Sequence, residues 1–66
     1  MIQNDTELRG AQDRIRLFER VLAEARRTYA PSDYQAMAEG YFMEIDKLQA
    51  EIREYLRRQP EHIEAA

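Results

Sequence analysis

The apolar residues of the first half of the chain fall at Leu8, Ala11, Ile15, Phe18, Leu22, Ala25 and Tyr29, in alternating steps of three and four. A run of that kind places one apolar stripe along an α-helix, with the spacing of a coiled-coil seam. Asn4 stands where it can cap the helix, and Glu7, three residues on, completes a capping box. Asp5 and Glu7 also complement the positive end of the helix dipole. The pattern predicts a helix from about residue 5 to about residue 29.

Ala30-Pro31-Ser32 interrupts this rhythm. Proline disfavours helix in the residue before it, and Ser32 followed by Gln35 reads as a second capping box. A second seam follows at Ala38, Tyr41, Ile45, Leu48, Ile52 and Tyr55, with Tyr34 extending it backwards. Arg53, Arg57 and Arg58 crowd the end, where cations suit exposed carbonyls, and Pro60 stops the run. The expected second helix spans about 33–58, after a turn at 30–32. Residues 61–66 are expected to form a flexible tail.

Two helices of roughly 37 Å, by the rise per residue, on a short turn imply an all-α fold. It is an antiparallel two-helix hairpin, coiled-coil-like, occupying residues 1–60 as a single domain. The expected core is Leu8, Ala11, Ile15, Phe18, Leu22, Ala25, Tyr41, Ile45, Leu48, Ile52 and Tyr55. Pairing about the turn gives layers such as Phe18 with Ile45, Ile15 with Leu48 and Leu8 with Tyr55. Ala25 opposite Ala38 allows the helices to approach closely near the turn.

The seams do not absorb all the apolar side chains. Leu17 and Val21 on the first helix, and Met37, Phe42, Met43 and Leu56 on the second, widen each stripe toward that of a bundle helix. Left uncovered, they form patches that soluble monomers rarely carry. A homo-oligomer follows, with a dimer making a four-helix bundle as its simplest form. Leu17, Val21, Phe42 and Leu56 are the expected interface. Val21 flanks one side of the seam and Phe42 and Leu56 the other, so the face that meets the partner stays open at this point. Gly40, inside the second helix, costs about 1 kcal/mol against Ala; a close backbone approach and a surface glycine are equally compatible with it.

Composition narrows the functions. At 66 residues the chain is near the size at which a lone core holds a fold, and small folds commonly add disulfides, a metal or a partner. It has no Cys, which excludes disulfides and thiolate zinc, and a single His, His62, so no histidine cage and no cofactor is expected. No apolar run is long enough to cross a membrane and no secretory leader is evident, which makes the cytoplasm the expected compartment. Residues 1–31 carry 6 Arg against 5 acids, and residues 32–66 carry 4 bases against 8 acids, for a net charge of −3. Nucleic-acid modules concentrate a basic excess, so this balance argues against such a partner; a third reading is direct nucleic-acid binding through Arg9, Arg16, Arg20, Arg26 and Arg27.

Catalytic chemistry is equally thinly supplied. No Gly-rich loop and no thiol is present, and Ser32, the only serine, is assigned to a cap. Glu44, Glu51 and Glu54 recur at helical spacing, but di-iron bundles need Glu-x-x-His on facing helices, which this chain lacks. Glu51 is better placed to meet Arg14 across the hairpin. The chain is therefore expected not to be an enzyme.

The opening Met1-Ile2-Gln3-Asn4-Asp5-Thr6-Glu7 and the stretch from Gly40 to Leu56, with its Glu44-Ile45-x-x-Leu48-x-x-Glu51-Ile52 core, carry a family likeness. They resemble the helical segment of small bacterial proteins that precedes the helix-turn-helix domain in antitoxin-like regulators. The resemblance, over residues 1 to about 60, implies a helical hairpin used for oligomerisation or partner binding. No room is expected for a helix-turn-helix domain, so no DNA-contacting residue is carried over. The expected function is a non-catalytic oligomerisation and protein-interaction module, a hairpin that dimerises and docks an unidentified protein partner through its surplus apolar face. The alternative is an antitoxin-like or transcription-regulator accessory of a toxin–antitoxin locus.

Overall fold

The computed structural model describes residues 1–58. The described residues form two helices, α1 (Asp5–Thr28, 24 residues) and α2 (Pro31–Arg57, 27 residues), packed against each other as a hairpin, and no strand is present among them. The expected tail at 61–66, with Pro60 and His62, lies outside the described residues.

α1 begins as its sequence dictates. Asn4 is extended, and its side-chain Oδ1 accepts a hydrogen bond from the Glu7 backbone N–H at 2.9 Å. The return half of the box is displaced by one residue: the Glu7 carboxylate accepts from the backbone N–H of Gln3 at 2.8 Å, rather than from that of Asn4. The helix ends at Tyr29, which turns extended and still donates its N–H to the Ala25 carbonyl at 2.9 Å.

The start of α2 departs from expectation. Ala30, extended at φ −63° and ψ 150°, is the N-cap; Pro31 is already helical, and no side chain caps the end. Ser32 is therefore inside the first turn and makes no cap, and the turn is Tyr29-Ala30 rather than 30–32. The reason is proline's own geometry. Its fixed φ suits the first helical position, and its missing N–H removes one of the donors that a cap would otherwise satisfy.

The core is a single seam between the helices. Ala11, Leu22, Ala25, Ala38, Ile45 and Leu48 are buried, and Leu8, Ile15, Phe18, Tyr41, Ile52 and Tyr55 are partly buried against them. Phe18 meets Tyr41 edge to face, with ring centroids 5.3 Å apart and planes at 68°. Such a pair adds roughly 0.5–1.5 kcal/mol beyond the area that it buries. Ala25 and Ala38 are among the most deeply buried residues, Ala38 clustering with Leu22 and Ile45. Tyr29, placed on the same stripe by its spacing, is about half exposed because the chain leaves the helix there.

Candidate interaction surface

At the open end of the hairpin, residues 1–4 fold back across the last turns of α2. Ile2 is 5% exposed and joins Ala11 and Leu48 in one apolar cluster, with Leu8, Ile52 and Tyr55 packed around it. The Tyr55 hydroxyl donates to Asp5 Oδ1 at 2.6 Å, tying the end of α2 to the first residue of α1. The Arg58 guanidinium donates to the Ile2 carbonyl and lies over the Tyr55 ring, 5.1 Å from its centroid. This strap was not read from the periodic pattern. Its one sequence signal is an apolar residue just ahead of the Asn4 cap, close to the position from which a hydrophobic staple reaches into the first turns.

Glu51 does not bridge to Arg14. It is half-buried, with the ammonium of Met1 3.9 Å from its Oε1. Arg14 is exposed and makes no ion pair among the described residues. Met1, Ile2, Glu51, Glu54, Tyr55 and Arg58 line a cleft of about 250 Å³ beside the strap. Among the described residues no group of three or more His, Asp or Glu is placed to hold a metal ion.

The remaining apolar side chains are on the outside. Leu17 is 51% exposed, Phe42 45%, Met43 70% and Leu56 62%, while Val21 and Met37 are half-buried at the margin of the seam. The four expected interface residues are spread over both sides of the hairpin, as their spacing implies. Phe42 and Leu56 lie fourteen residues apart on one flank of α2, which is two heptads and nearly the same side of the helix. Val21 belongs to the opposite flank of the hairpin, and Leu17 to the far side of α1, turned from the seam by roughly 130° at 3.6 residues per turn.

Of the arginines that could serve a nucleic acid, Arg16 is paired with Asp13 at 3.2 Å and Arg27 with Glu24 at 2.9 Å, both exposed pairs one turn apart on α1. Their charge is thereby locally offset. No helix of the described residues is long and apolar enough to cross a membrane. In comparisons with known proteins, no family model, no curated protein and no solved structure matches the chain.

Proposed function

We propose that this chain is a non-catalytic oligomerisation and protein-interaction module whose first partner is a second copy of itself, two hairpins associating as a four-helix bundle. The observation that carries this reading is the mismatch between what the hairpin buries and what it leaves outside. Among the described residues three of the seven buried ones are alanines and no side chain is fully buried, yet Leu17, Phe42 and Leu56 stand in solvent. A two-helix layer has no second side on which to cover them, and a domain of this size is marginal without added burial.

Sedimentation equilibrium at micromolar concentration tests it: the expected mass is twice the 7.9 kDa of one chain, or a higher multiple. Phe42→Glu should lower mass and helix content together, because an unpaired carboxylate is not buried without a large penalty. A parent chain that stays monomeric and fully helical overturns the proposal.

A further inference from the structure

We infer that the self-association surface is the Phe42–Gln49–Leu56 line of α2, packed antiparallel on the same line of a second copy about a two-fold axis at Gln49. This rests on the self-association proposed above and adds the face, the direction and the register.

The three residues are seven apart, so they form one line along the helix, turned from the seam by roughly 70° at 3.6 residues per turn. A helix in a four-helix bundle meets its second neighbour at about that angle. All three side chains are exposed. Just outside them runs a line of charges, also spaced by sevens: Glu39, Asp46 and Arg53, followed by Arg57. None of these four makes an ion pair within the described residues.

Laid antiparallel on itself about Gln49, the line is complementary to itself. Phe42 covers Leu56 of the second copy and Leu56 covers its Phe42. Asp46 comes beside Arg53 of the second copy, and Glu39 beside its Arg57. Gln49 meets Gln49 on the axis, where two amides can each donate and accept. A polar pair in an otherwise apolar contact fixes the register, as a single buried Asn does in coiled coils. A parallel arrangement instead sets Asp46 against Asp46 and Arg53 against Arg53. The corresponding line of α1, Gln12, Glu19 and Arg26, has no apolar member, so α2 supplies the contact. Met43 stands alone among polar neighbours on the far side of α2, as single exposed apolar residues commonly do, and Leu17 lies one turn from Val21 on the other side of α1.

Cysteine cross-linking reads this directly, because the chain has no thiol of its own. Gln49→Cys and, as a control on the outer side of α2, Lys47→Cys are oxidised in a glutathione buffer at the same concentration. Gln49→Cys should form the disulfide-linked dimer at least about tenfold faster, since association holds its two thiols at high effective concentration. As a second measure, Asp46→Arg and Arg53→Glu should each raise the dimer dissociation constant by about five- to tenfold, from two facing charge pairs. The double variant should return it toward the parent value; Asp46 and Arg53 of one chain are too far apart to explain such rescue from within. If the parent is dimeric but the two cysteines link at equal rates, or the double variant is no better than the singles, this face and register are wrong while association stands. A monomeric parent removes both.

Discussion

Replacing Ile2 with Ala isolates the contribution of a residue that belongs to neither helix. Ile2 is 5% exposed, packed with Ala11 and Leu48. The truncation removes three carbons, and at about 0.8 kcal/mol for each buried methylene the transfer loss comes to about 2.4 kcal/mol. A cavity adds to that in a rigid core. Here the strap is a short extended segment that can settle toward α2, so the surroundings partly collapse and the cost stays near the lower end of the range, about 2–3 kcal/mol. Ile2→Val, which removes one carbon, should cost about 0.5–1.5 kcal/mol. Urea unfolding followed by circular dichroism measures both, at one fixed protein concentration, because the proposed self-association would raise apparent stability by mass action. Amide exchange adds the location: protection should fall first in the opening turn of α1 and the closing turns of α2. A loss below about 0.5 kcal/mol for Ile2→Ala, the level of an ordinary surface substitution, would refute the assignment of the strap as core.

The two helix starts give opposite expectations. Asn4→Ala should cost about 1 kcal/mol by removing the acceptor for the Glu7 N–H, whereas Ser32→Ala should stay within about 0.5 kcal/mol; thermal melts of the two variants that reverse this order would put the start of α2 back at Ser32. Gly40 has nothing within 4 Å of the place where a Cβ would stand. Gly40→Ala should therefore stabilise the protein by about 0.5–1 kcal/mol, and destabilisation in the same melts would mean that another chain approaches the backbone there.

The seam was legible because its information is local. Steps of three and four from Leu8 to Ala25 and from Ala38 to Tyr55 leave the two apolar stripes one way to be covered, and Pro31 places the bend between them. The cap at Asn4 is local for the same reason. Ser32 misled because Ser-x-x-Gln and Pro at the first helical position are both start signals, one residue apart, and the proline governs when it comes first. Ile2 was not legible, since nothing in its neighbours' spacing marks it as core. Its burial depends on where α2 ends relative to the start of α1, a matter of register between residues some fifty positions apart, as the Tyr55–Asp5 hydrogen bond records. Arg14 and Glu51 failed to pair on that same register, and an exposed pair of this kind contributes too little to impose one.

The way the hairpin closes bears on what can still bind it. Its turn end is closed by the Tyr29-Ala30 link, next to the buried Ala25 and Ala38. Its open end is shut by the strap, through Ile2 in the apolar cluster and the bonds of Arg58 and Tyr55. Met1 and Tyr29 are exposed at the two ends, but Leu17, Phe42, Met43 and Leu56 lie along the helices, where a partner would pack side by side with them. The seam itself is thin, small where it is deepest and only half covered at Leu8, Ile15, Phe18, Tyr41, Ile52 and Tyr55. A lateral partner would finish the burial of residues that the hairpin already holds in place, and most helix stability in proteins comes from such packing rather than from propensity. Folding and association of this chain should then be one thermodynamic event, whose midpoint moves with protein concentration. A unimolecular melting curve, unchanged across a hundredfold dilution, would separate the two and leave the flanks without that role.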